Sequence, residues 1–129
     1  MRALIVDDSS LMRKMVERAI GQAGFKLDQV LQAANGQEAL QLLRIEEAAG
    51  TSIQLIISDI NMPIMDGLQF LEQKQRENLG ENIPIVMITT EGGEMMVRRA
   101  MAAGAKGYIT KPFVPDNVKA QILAALNRA

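Results

Sequence analysis

The sequence predicts an α/β domain built on a five-stranded parallel sheet with helices on both faces. Two observations predict it. Short apolar runs alternate with longer helical patterns five times along 129 residues, the signature of a parallel sheet. The run Ile83 to Ile88 is apolar throughout, as expected of a strand covered on both faces.

The elements follow in order. Ala3 to Val6 predicts the first strand. Ser9 or Ser10 can cap a helix that places Met12, Met15, Val16, Ala19, Ile20 and Ala23 on one face, with Gly24 ending it. Leu27 to Ala33 is a less hydrophobic run and predicts an edge strand. Asn35 with Glu38 has capping-box spacing, and Ala39, Leu42, Leu43 and Glu46 carry that helix towards Gly50. Ile53 to Ser58 predicts the third strand. Past the Met62-Pro63 loop, Asp66 with Gln69 predicts another cap, opening a helix through Leu68, Leu71 and Lys74. The Ile83–Ile88 strand ends at Thr89-Thr90. A helix from about Gly93 to Ala103, with Gly104 after it, precedes a strand over Gly107–Thr110. Pro115 opens the last helix at its first turn.

Composition narrows the chemistry. One domain is expected over residues 1–129, with 48% apolar residues to bury. There are no cysteines, which removes disulfides, thiolate catalysis and cysteine-based metal centres. There are no histidines, so the usual neutral-pH general base and the imidazole phosphoacceptor are both missing. Net charge is −1, from 14 basic and 15 acidic residues without a long single-sign run, so a basic nucleic-acid face is not indicated. Arg2 leads straight into the first strand, and no apolar stretch approaches membrane-spanning length. A cytoplasmic monomer with no membrane contact is expected.

Asp7 and Asp8 follow the first strand directly, and Asp59 follows the third. If those strands are neighbours, three carboxylates converge at their carboxyl ends. Carboxylates about 4 Å apart repel by roughly 4 kcal/mol per pair at an effective dielectric near 20. A hard divalent cation such as Mg²⁺, a lysine, or a raised pKa on one acid can offset this. The fifth strand ends in Thr110-Lys111-Pro112, which offers the lysine. A carboxylate-rich magnesium pocket with a facing lysine is equipped to handle a phosphoryl group.

These residues resemble the receiver domain of bacterial two-component response regulators, in particular the stand-alone CheY-like type. The resemblance spans essentially the whole chain. It rests on Val6-Asp7-Asp8, on Ser58-Asp59-Ile60-Asn61-Met62-Pro63 with Met65-Asp66-Gly67, on Ile88-Thr89-Thr90, and on Lys111-Pro112-Phe113. It implies a doubly wound, flavodoxin-like sheet of order 2-1-3-4-5, with the site at the switch between the first and third strands. Asp59 is then the phosphoacceptor, a carboxylate nucleophile that forms an acyl phosphate. Asp8 directly, Asp7 through water, Asp59 and the main-chain carbonyl of Asn61 are expected to hold Mg²⁺. Lys111 is expected to pair with Asp59 and then with a phosphoryl oxygen, and its bond to Pro112 to be cis. Thr89 supplies a hydroxyl and Thr90 an amide. Thr89 and Tyr108 form the switch, while Asn61 and Glu91 tune dephosphorylation.

The family takes its phosphoryl group from a phosphohistidine on a sensor histidine kinase, or from small acyl phosphates, and water later removes it. The expected role is therefore a signal transducer that catalyses only its own phosphorylation and dephosphorylation. With no DNA-binding segment, output is expected through protein binding. Asn61 and Glu91 match chemotaxis regulators that bind the flagellar motor switch, and a separate phosphatase is a further expected partner. A phosphate sink, a phosphorelay shuttle and an adaptor in a non-chemotaxis pathway are the alternatives. A Mg²⁺-dependent phosphatase of the haloacid dehalogenase type needs an acid two residues after its nucleophile, where this chain has Asn61. A flavin carrier needs a hydroxyl- and glycine-rich phosphate loop where this chain has Asp7-Asp8. On the helix after Thr90, Met96, Ala100 and Ala103 are assigned to the core. Val97 and Met101, with Tyr108 and Thr110, are assigned to a partner face.

Overall fold

The computed structural model describes residues 1–90 and 93–128. Strand and helix alternate as β1 (Arg2–Val6), α1 (Ser10–Gln22), β2 (Gln29–Ala33), α2 (Gly36–Ala49), β3 (Leu55–Ser58), α3 (Gly67–Arg76), β4 (Ile85–Thr89), α4 (Glu94–Ala102), β5 (Gly107–Thr110) and α5 (Pro115–Arg128). The strands pair in parallel, in the order β2-β1-β3-β4-β5.

Side chains alternate across the central strands, and this divides the core in two. Leu4 and Val6 of β1, Ile56 of β3, and Ile85 and Met87 of β4 meet Ala39, Leu40 and Leu43 of α2, Leu68, Phe70 and Leu71 of α3, and Ala100 of α4. Ala3, Ile5, Leu55, Ile57, Val86 and Ile88 meet Val16, Ala19 and Ile20 of α1, and Val118, Ile122 and Ala125 of α5. A strand buried on both faces has no place for polar residues, which is why the β4 run reads as continuously apolar.

Local chemistry sets the boundaries. Ser9 is the cap of α1, its Oγ accepting from the Met12 amide at 3.2 Å. Gly24 and Gly104 take φ of +100° and +107° just past α1 and α4, a conformation that strains any residue with a Cβ. Asp66 and Gln69 form the full reciprocal capping box on α3. Arg44 of α2 forks onto Glu77 at the end of α3, with contacts of 2.9 and 2.6 Å. Its hydrogen bonds pull the Glu77 carboxyl down to about 2.

Several local expectations change. β2 begins at Gln29 rather than Leu27, because the ladder needs a partner and Gln29 pairs with Arg2, where β1 starts. Asp28 is held instead by Met1, through its amide to the Met1 carbonyl and its carboxylate to the terminal amine. The Glu38 carboxylate accepts from the Ala34 amide at 3.0 Å, one residue before the Asn35 cap, so that box is not closed on itself. Met15 stays 47% exposed, although its spacing places it with Val16 and Ala19.

Candidate functional site

Register places the acids side by side. Val6 pairs with Ser58, so Asp7 and Asp59 leave the sheet together from the carboxyl ends of β1 and β3. The Asp59 amide donates to the Val6 carbonyl at 2.8 Å, and the Asp7 amide to the Ala33 carbonyl at 3.0 Å. On the far side, Thr89 pairs with Thr110, and the Lys111 amide donates to the Thr89 carbonyl at 2.7 Å. Lys111 thus follows the last ladder residue and turns its side chain back over the acids. The Lys111–Pro112 peptide is cis.

Each of Asp7, Asp8 and Asp59 offers a carboxylate oxygen, all within 4.8 Å of one another; Asp7 and Asp59 are buried and Asp8 is exposed. Repulsion at that range is roughly 3–4 kcal/mol per pair at an effective dielectric near 20. The structure shows two of the three expected offsets. Lys111 Nζ lies 3.2 Å from Asp7 Oδ2 and 3.5 Å from Asp59 Oδ2. The Asp59 carboxyl is raised above its ordinary range, first because burial disfavours its charge. The Lys111 charge opposes that shift and Asp7 adds to it. The third offset, a hard cation, fits the donor set: carboxylate oxygens converging on one point, open to solvent on the Asp8 side.

Asp7 is pinned at every polar atom. Besides its amide and Oδ2, Oδ1 accepts from the Ser9 amide at 2.9 Å, and its carbonyl accepts from Arg13 at 2.6 Å. Asp59 Oδ1 accepts from the Ile60 amide at 2.8 Å, which leaves Oδ2 on the Lys111 side. Lys111 pairs with Asp59, as the resemblance implies, and slightly closer with Asp7, so the two buried acids share one ammonium. Thr89 is fully buried at the end of β4, and Thr90 and Asn61 are exposed. Glu91 lies outside the described residues.

On α4, Ala100 is fully buried, and Met96 and Ala103 pack against the same core cluster, as their spacing predicts. Val97 is half-buried and Met101 is 39% exposed; on β5, Tyr108 is half-buried and Thr110 exposed. Sequence reasoning missed two residues that shape the site. Arg13 reads as one more solvent-facing charge on α1, and Gly67 as part of a motif. Only the folded chain shows one against the Asp7 carbonyl and the other beneath the Asp59 backbone.

A five-stranded parallel sheet with this order, carrying three acids and a lysine at its β1/β3 crevice, defines the class: the chain belongs to the response regulator receiver domain family, whose model matches residues 3–123. Within it the chain is CheY-like. It is 40% identical over 122 residues to a chemotaxis protein CheY homolog of Campylobacter jejuni, covering 95% of this chain and 89% of that one. It is 39% identical over 126 residues to chemotaxis protein CheY1 of Helicobacter pylori, covering 98% and 97%. Among solved structures, the CheX–CheY–BeF3–Mg²⁺ complex from Borrelia burgdorferi matches at TM-score 0.82 and 29% identity, covering 96% of this chain and 87% of that one. Vibrio cholerae CheY4 matches at TM-score 0.77 and 34% identity, covering 97% and 98%.

Proposed function

We propose that this CheY-like response regulator takes a phosphoryl group from a sensor histidine kinase onto Asp59, changes its output face, and loses the group to water. The observation that carries this reading is the Lys111 ammonium, 3.2 Å from Asp7 and 3.5 Å from Asp59 within a cluster of three carboxylates. A lone acid at a strand end would be a cap. An acid raised by burial and held opposite a partly buried lysine is a nucleophile in waiting.

Asp59 Oδ2 attacks phosphorus in line, the P–N bond to the donor imidazole breaks, and an acyl phosphate forms. Positioning and charge do most of the work in such a transfer. Asp7, Asp8, Asp59 and the Asn61 carbonyl would hold Mg²⁺, which when bound neutralises charge on the transferring group. Lys111 moves its charge from the carboxylates to a phosphoryl oxygen, and Thr89 and the Thr90 amide donate to the others. Water then attacks phosphorus, returning the carboxylate and inorganic phosphate, with Asn61 and Glu91 setting access.

Drawing Thr89 towards the phosphoryl group frees space for the Tyr108 ring, and this biases the face made by Val97, Met101, Tyr108 and Thr110. The partner we favour is a component of a chemotaxis motor switch, since the relatives at 39–40% identity are chemotaxis proteins. Incubation with acetyl phosphate and Mg²⁺ should add one phosphoryl mass, absent in Asp59→Asn. Labelling that persists in the variant would end the assignment.

A further inference from the structure

We infer that Arg13 is a positioning residue for the acidic pair. By holding the carbonyl between Asp7 and Asp8 it aims the Asp8 carboxylate, and so sets the pocket's affinity for a divalent cation. The inference deepens the phosphoryl-site reading above and rests on it.

Arg13 lies in the second turn of α1, its own amide donating to the Ser9 carbonyl at 3.0 Å. Its guanidinium reaches out of the helix in two directions. One terminal nitrogen donates to the Asp7 carbonyl at 2.6 Å, and Nε donates to Gln32 Oε1 on β2 at 2.8 Å. A single side chain therefore ties α1, the end of β1 and β2 together. The planar fork fixes its angle as well as its distance.

The place of that carbonyl gives the contact its meaning. Val6 is the last β1 residue in the ladder, so no strand amide reaches the Asp7 carbonyl, and Arg13 supplies the missing donor. The carbonyl belongs to the peptide plane joining Asp7 to Asp8. Rotating that plane swings the Asp8 side chain. Asp7 itself is held by Ala33, Ser9 and Lys111 whatever Arg13 does. Asp8 is exposed, and its carboxylate makes no hydrogen bond among the described residues, so it is aimed through its backbone.

Two effects of Arg13 on a bound cation oppose each other. Its positive charge repels the cation; its hold on the peptide aligns a ligand. Arg13 is partly solvent-exposed, so its charge is screened. Mg²⁺ demands near-octahedral oxygen geometry, so a misdirected carboxylate is heavily penalised. Alignment should win. Outer-shell groups that orient metal ligands typically contribute ten- to a hundredfold in affinity.

Calorimetric titration of Mg²⁺ into the metal-free protein tests this without any turnover. Arg13→Ala should weaken Mg²⁺ by about tenfold. Arg13→Lys keeps the charge and one donor but not the fork, and should recover part of the loss. Gln32→Ala leaves the charge intact and removes only the strut, and should weaken Mg²⁺ in the same direction by less. Should Arg13→Ala not fold, the Lys and Gln32 variants decide. Unchanged or tighter Mg²⁺ binding in Arg13→Ala, or in both other variants, would overturn the inference and make Arg13 a mere surface charge. A wild-type protein that binds no Mg²⁺ would overturn the metal reading with it. Wild-type binding that is indifferent to Arg13 overturns this inference alone.

Discussion

Gly67 stands directly beneath the main chain of Asp59: a Cβ on Gly67 would fall 2.1 Å from the Asp59 carbonyl oxygen. The same imaginary atom would lie 2.8 Å from the Met87 methyl and 2.9 Å from the Ile60 Cα. The Gly67 amide also donates to the Ile60 carbonyl at 2.8 Å. The start of α3 and the loop after β3 therefore share one close contact, and no shift of a flexible side chain relieves an added methyl. Gly67→Ala should cost about 2–3 kcal/mol, read as a lower midpoint in urea. Because the strain falls on the Asp59 backbone, acetyl phosphate labelling should drop further than the loss of folded protein explains.

Asp59→Asn should abolish labelling yet stabilise the fold at neutral pH. Burial, the largest cause, and Asp7 raise the Asp59 pKa, and Lys111 only partly compensates. A carboxyl with a raised folded pKa contributes stability below its unfolded pKa, and that contribution is lost as pH rises through the folded pKa. The variant's Tm advantage should thus be present at pH 7 and disappear in acid. A variant less stable than wild type at pH 7 would mean that the Lys111 attraction outweighs burial.

Ile64 presents a different conflict. It holds φ of +70° in a turn closed by the Met65 amide on the Pro63 carbonyl at 2.7 Å, and it is 76% exposed. A β-branched residue there costs about 1–2 kcal/mol. Glycine's greater unfolded-state freedom costs about 0.5–1 kcal/mol, and little packing is lost. Ile64→Gly should therefore stabilise by about 0.5–1 kcal/mol, measured by chemical denaturation.

Lys74 is 91% buried on α3, where burial lowers its pKa, with Glu81 and Glu47 pulling the other way without pairing to it. A base with a lowered folded pKa opposes folding while charged, and stability rises with pH from the folded pKa towards the unfolded one. Lys74→Met should stabilise by about 1 kcal/mol at pH 7. It should also flatten the alkaline rise in Tm. A destabilised variant would show that the two glutamates hold the charge better than burial disfavours it.

What could be read from the sequence follows the range of each interaction. Strands and helices came through because their signals are local: the apolar Ile83–Ile88 run, the Asn35 and Asp66 caps, and Gly104 after α4. Boundaries failed where a neighbour decides, as at Leu27, which has no β1 residue opposite it. Asp7, Asp59 and Lys111 were legible as a group because each ends a strand. That Lys111 sits nearer Asp7 than Asp59 was not, since the choice depends on tenths of an ångström. Arg13 and Gly67 act on carbonyls rather than through motif chemistry, and main-chain partners leave no trace in residue type.

Lys111 and Asp7 touch, yet they are 104 positions apart in the chain. Loop closure costs grow only slowly with length, so the distance is affordable at equilibrium. Order in time is another matter, for pairings remote in sequence form after local ones. Until the fifth strand docks beside the fourth, a nascent chain has its three acids but no ammonium between them. On the function proposed above, the ability to receive a message is therefore completed only with that strand, and an unfinished copy stays silent.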